Sequence, residues 1–161
     1  MNINKIILSG LALSFAVVTL EAGTLKGHVK YAGKAPKSKK LRMDADPVCG
    51  SSHSGPVFSE SFKMSADGSM AEAIVYLTKV SYSGGAPKTP VVLDQKGCVY
   101  EPHVFGLVTG QELLIKNSDA TLHNIHSRPK INKEFNFAMP KVVKKKTTSF
   151  SLSEPEPFYI K

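Results

Sequence analysis

The chain has 161 residues, 21 Lys and Arg against 13 Asp and Glu, and a formal net charge of +8. That length suits one domain with one hydrophobic core. The absence of tryptophan and of interleaved aromatic and basic residues argues against a nucleic-acid stacking platform, so the charge stands as solubility or as attraction to an acidic partner.

Residues 1–22 have the layout of a secretory signal. A polar start with one lysine, "MNINK", precedes the apolar run "IILSGLALSFAVVTL", and the small residue Ala22 stands before Gly23. The run is too short and too interrupted for a membrane span, and no stop-transfer charges follow it. The expectation is a periplasmic or secreted protein, with residues 23–161 as the domain and no membrane span after cleavage.

The first predicted strand is "TLKGHVKY". Leu25, Val29 and Tyr31 alternate with Lys26, His28 and Lys30, which puts His28 toward solvent. "GKAPKSKKLR" is a basic turn or linker. In "DADPVC", Asp44 and Asp46 before a proline are ordinary turn chemistry. "VFSESFKM" is a second strand candidate, "ADGS" a turn, and "AEAIVYLTKV" a buried strand of near-continuous apolar character. The Gly/Pro loop "SYSGGAPKTP" leads into further strands at "VVLDQ", "CVYEPHVF", "QELLIKN" and "TTSFSLS", where Thr148, Phe150 and Leu152 share a face. In "EPEPFYIK", Phe158 and Ile160 share one face and Tyr159 and Lys161 the other. "KVVKKK" (141–146) reads as a solvated charge cluster that protects a strand edge. No long segment has a 3.6-residue apolar period, so the class is all-β, a sandwich or barrel.

The two cysteines, Cys49 and Cys98, lie in the exported part. In an oxidising compartment such a pair forms a disulfide, closing a loop of roughly 50 residues and contributing about 3–4 kcal/mol by the chain-entropy argument. The alternative is metal or catalytic use, to which the local string "CGSSH" (Cys49 to His53) lends a ligand-like look.

"TLHNIH" places His123 and His126 three apart. If extended, an odd separation turns them to opposite faces, so one strand aims a single imidazole inward and leaves the other at the surface. It is not the H-E-x-x-H pattern of zinc proteases. No nucleophile elbow, phosphate loop or haem-attachment motif occurs, and an enzyme is not expected.

The succession "GHVKYAGKAP", "DADPVCGSSH", "LDQKGCVYEPHV", "GQELLIKNSDATLHNIH" and "NKEFNFAMP" resembles a family of exported bacterial cupredoxin-like proteins, of the plastocyanin-like or methylamine-utilisation type. The resemblance implies a Greek-key β-sandwich with a mononuclear type 1 copper site that carries electrons. It maps the first copper ligand onto His123 and makes Asn124 a residue that holds the ligand loop by hydrogen bonds. The remaining ligands of the family come from a Cys-x-x-His…Met loop, since thiolate, two imidazoles and a weak thioether suit both copper oxidation states. In relatives that cysteine directly follows a segment like "PEPFYIK". This chain ends at Lys161, so the expectation is a sandwich lacking its last strand, with one copper ligand of the set. Met139 in "FNFAMP" is expected to serve packing or loop structure, and His103 in "PHV" to be structural or an additional ligand. The partner implied is a redox protein such as a c-type cytochrome or a dehydrogenase. Two other readings stand beside this one: a non-redox β-sandwich that serves as a binding or structural module, and copper held by His123, His126 and His103 without a thiolate.

Overall fold

The computed structural model describes residues 24–79, 84–149 and 156–161. The signal-like segment 1–22 lies outside them, as do Phe150 and Leu152. The described chain is mostly β. In order it holds a one-turn helix α1 (Pro47–Ser51) and strands β1 (Lys63–Met64), β2 (Met70–Ala71), β3 (Val91–Lys96), β4 (Val99–Glu101), β5 (Leu113–Asn117), β6 (His123–Arg128), β7 (Asn136–Met139), β8 (Lys145–Thr148) and β9 (Tyr159–Ile160). They form a small β1–β2 ladder, a sheet in the order β4-β3-β5-β8 and a sheet in the order β7-β6-β9. β3 and β5 run parallel, and the other pairings are antiparallel. No helix among the described residues is long and apolar enough to cross a membrane.

The two larger sheets share one core. Leu93, Leu113 and Ile115 come from one sheet, Ile125 and Met139 from the other, and all five are buried. Burying aliphatic side chains of this size contributes roughly 1.5–3 kcal/mol each. The period-2 alternation in "LLIKN" and "HNIHSR" is what sends Leu113, Ile115, Ile125 and Ser127 inward. Phe158 and Ile160 pack against the same core while Tyr159 stays exposed, as the alternation in "PFYIK" requires.

The short β9 segment is pinned at its entrance by Glu156. Its carboxylate accepts hydrogen bonds from the backbone N–H groups of Lys130, Ile131 and Asn132 and from the Asn132 side chain. Three successive amides aimed at one anion make a concavity suited to negative charge. They outweigh the desolvation that opposes ionisation and hold the Glu156 carboxyl down at about 2.

Two expected strands are not formed. Residues 24–31 are exposed along their length and join the rest through an isolated bridge, Lys30 to Ser69. The alternation there has no second layer to bury its apolar face. The expected buried strand in "AEAIVYLTKV" is also corrected. After β2 the chain passes Glu72 at φ +58°, which turns it out of the ladder, and Ile74, Val75, Tyr76 and Leu77 are 60–71% exposed. Conversely, β7 is a strand that alternation alone did not single out. "VFSESFKM" contributes a bridge at Phe58 and the two residues of β1.

Candidate metal centre

Three pieces of chain meet at His123: the β5–β6 loop, the β3–β4 turn and α1. The loop is organised by Asn117, the last residue of β5 and 1% exposed. Its Oδ1 accepts from the Asp119 amide at 3.0 Å, and its Nδ2 donates to the carbonyls of Thr121 (3.0 Å) and Met139 (2.9 Å). A buried amide satisfied in this way fixes the loop that delivers the next strand. Lys144 Nζ adds a bond to the Asp119 carbonyl at 3.1 Å.

The Asp119 side chain then turns toward the β3–β4 hairpin. Lys96 and Val99 are paired, so Gly97 and Cys98 form a two-residue turn, at φ +63° and +59°. Two consecutive positive φ values are the signature of the type I′ turn that tight hairpins favour. The Gly97 and Cys98 amides donate to Asp119 Oδ1 and Oδ2 at 2.7 and 2.8 Å. His53 donates from Nε2 to the Gly97 carbonyl at 2.6 Å. Asp119 Oδ2 also takes His123 Nε2 at 2.7 Å. Burial opposes ionisation of Asp119, but the Cys98 amide, the His123 imidazole and the Gly97 amide outweigh it and hold the carboxyl below its usual range.

The third piece is α1. Asp46 is its N-cap, accepting from the Val48 and Cys49 amides, with Pro47 in the first turn. The second Asp46 oxygen accepts from Thr121 Oγ1 at 2.7 Å. The Thr121 hydroxyl and the Val48 amide are the main reasons its carboxyl sits below the ordinary aspartate value. Cys49 on the same helix is disulfide-bonded to Cys98.

The result is a mixed donor cluster. Cys98 Sγ, one Asp119 carboxylate oxygen and one His123 ring nitrogen lie within 4.8 Å of one another. The His123 side chain is 15% exposed and borders a cleft of about 100 Å³, also lined by Gln95, Cys98, Val99, Tyr100 and Asn124. Among these donors only His123 and Asp119 can ligate while the disulfide stands, because Cys98 then offers no thiolate.

The other candidates lie apart. His126 is on the opposite face of β6, where its Nε2 meets Glu134 Oε1 at 2.6 Å, as the odd spacing requires. His103 is half-exposed, with Nδ1 4.0 Å from Glu60. The three histidines do not converge. Asn124 faces solvent and donates to Asn136 Oδ1 across β6 and β7 at 2.9 Å. Met139 is buried, and its sulfur accepts from Gln95 Nε2 at 3.2 Å, so it serves packing. Sequence reading did not single out Asp119 or Asn117, and it took His53 for part of a ligand-like string, whereas its ring braces the Gly97 carbonyl. For Asp119 the signal was its place four residues before His123 in a polar loop. Comparison with protein-family models, with curated proteins and with solved structures gives no match.

Proposed function

We propose that this chain is an exported copper-binding module of the cupredoxin kind, a Greek-key β-sandwich in which His123 is the imidazole ligand. The observation that carries the reading is the 2.7 Å contact between His123 Nε2 and Asp119 Oδ2. Metal-ligating histidines characteristically give their other ring nitrogen to a carboxylate, which fixes the ring and raises its basicity. Here that carboxylate is itself anchored by two backbone amides. Nδ1 is the ring nitrogen left for coordination.

His123 fits one ligand position of a copper site. Bound copper would supply one-electron redox chemistry. Both cysteines of the chain are in the disulfide, so a type 1 thiolate ligand is not among the described donors. The residues present hold and orient an imidazole, shield it from bulk water, and keep an ionised carboxylate behind it. In this reading the partner is a redox protein such as a c-type cytochrome or a dehydrogenase, and the lysines at 141–146 favour an acidic face on it.

The test is Cu(II) titration of the oxidised chain by calorimetry and electron paramagnetic resonance. His123→Ala should abolish nitrogen-ligated binding, and Asp119→Asn should weaken it by about 10–100-fold. Copper affinity unchanged in His123→Ala overturns the proposal.

A second reading has its own support: every oxygen of the Asp119 side chain is satisfied within the protein. A non-redox β module would use the His123–Asp119 pair as a latch between loop and hairpin. Its mark is a melting temperature that falls in His123→Ala but does not move when copper is added to the wild type.

A further inference from the structure

The position of Cys98 does not depend on its disulfide alone. It sits in a two-residue turn closed by the Lys96–Val99 pair, and its amide is held at 2.8 Å by Asp119. The neighbouring Gly97 is held on both sides, its amide by Asp119 and its carbonyl by His53. His123 is fixed independently, by β6 pairing with β7 and by the Asn117 network in the loop before it. Breaking the bond to Cys49 therefore frees a sulfur that stays beside an imidazole and a carboxylate.

We propose that reductive opening of the Cys49–Cys98 bond creates a three-donor site for a divalent transition ion of the Zn(II) class, built from Cys98 Sγ, the Asp119 carboxylate and one ring nitrogen of His123. Thiolate, imidazole and carboxylate are the donors Zn(II) takes, and a tetrahedral ion with its usual bond lengths sets donor separations of roughly 3.3–3.8 Å. The present spread, within 4.8 Å, closes by rotation of the Cys98 side chain once the sulfur is released, while Asp119 keeps its bonds to the Gly97 and Cys98 amides. The cleft that borders Cys98 and His123 gives access and leaves room for water as a fourth ligand. The thiolate and carboxylate together neutralise the ion's charge. The site shares His123 with the copper reading, but it differs in metal and exists only in the reduced chain.

The opening step needs an external dithiol. Its thiolate attacks Cys49 Sγ, the S–S bond breaks, and Cys98 leaves as a thiolate. The second thiol of the reductant resolves the mixed disulfide on Cys49. Two electrons pass from the dithiol, which becomes a disulfide, and its two protons are left for Cys49 and Cys98. Metal binding then releases the Cys98 proton to solvent, while His123 coordinates as the neutral imidazole.

The experiment uses Cys49→Ser, which leaves Cys98 permanently free, with Cys98→Ser as the control that loses the same covalent link. Co(II) is the spectroscopic probe and Zn(II) the competitor. Cys49→Ser should develop a thiolate-to-Co(II) charge-transfer band that Zn(II) displaces, and Cys98→Ser should not. Adding His123→Ala or Asp119→Asn to Cys49→Ser should weaken binding at least about tenfold. Wild type reduced by a phosphine should reproduce the Cys49→Ser spectrum, and oxidised wild type should show no band. A folded Cys49→Ser without the band overturns the proposal, as does a band undiminished by His123→Ala, which would mark the lone thiol as the binder. If both serine variants unfold, Zn(II) should restore the β-sheet circular dichroism of Cys49→Ser alone, and failure to do so is equally decisive. Copper binding by the oxidised wild type is read separately, so either result leaves the other standing.

Discussion

Asp46 and Thr121 stand 75 positions apart in the chain and are joined by a hydrogen bond of 2.7 Å. One oxygen of Asp46 caps a helical turn and the other holds the loop that leads to His123. A short helix with few contacts of its own is thereby attached to the β5–β6 loop, in addition to its covalent link through Cys49.

Thr121→Val removes the tie and keeps the cap, so it should lower stability by about 0.5–1.5 kcal/mol in denaturant unfolding. Asp46→Ala removes both and should lower the melting temperature further. If the two variants melt together, the tie rather than the cap is what matters at Asp46.

Gly97→Ala should destabilise the fold for two separable reasons. The residue sits at φ +63°, and an added Cβ would lie 3.2 Å from the His53 ring. The backbone part costs roughly 1–2 kcal/mol. The steric part should be recovered by truncating the ring, so a double-mutant cycle of Gly97→Ala with His53→Ala should give a favourable coupling. Additive losses would mean that the ring moves aside without cost.

The acid limb of the stability curve should report Glu156. Its folded-state carboxyl is held at about 2 against an ordinary value of 4.5, so its contribution is complete above pH 4.5 and is lost as pH falls toward 2. Asp67, held at about 2 by the Ser65 and Ser69 hydroxyls and the Ser69 amide, adds to the same limb. Glu156→Gln should flatten the slope of denaturant midpoint against pH in this window. A slope unchanged from the wild type would show that the amide cluster at 130–132 does not bind the carboxylate preferentially in its ionised form.

Met139→Ala should cost about 2–5 kcal/mol, because a fully buried side chain between two sheets leaves a cavity. Met139→Leu should cost less than about 1.5 kcal/mol. Gln95 keeps its bond to the Lys116 carbonyl in both variants, so the sulfur contact is the smaller part. Copper binding that survives Met139→Leu would confirm that Met139 packs rather than ligates.

Much of this architecture was readable from local pattern. β3 and β5 lie where the apolar runs put them, and once β6 is extended the spacing of His123 and His126 turns them to opposite faces. The two cysteines pair with each other as expected, and the aspartate-proline string before Cys49 became a helix cap. Asp119 was not readable, because the groups that give it meaning, the amides of Gly97 and Cys98, are 22 and 21 residues away. The segment after β2 failed for a related reason. An apolar run states that burial would be favourable, and only the tertiary arrangement decides whether another layer exists to provide it.

That segment has a colloidal consequence. Ile74 to Leu77 offer a strip of uncovered apolar side chains on a molecule whose net charge is +8. At low ionic strength, mutual repulsion keeps two such strips apart. Near 0.1 M salt the range of that repulsion shrinks to about 10 Å, while the attraction between apolar surfaces is undiminished. Solutions of this protein should therefore become less tolerant of concentration as salt is added, the reverse of an assembly held by ion pairs.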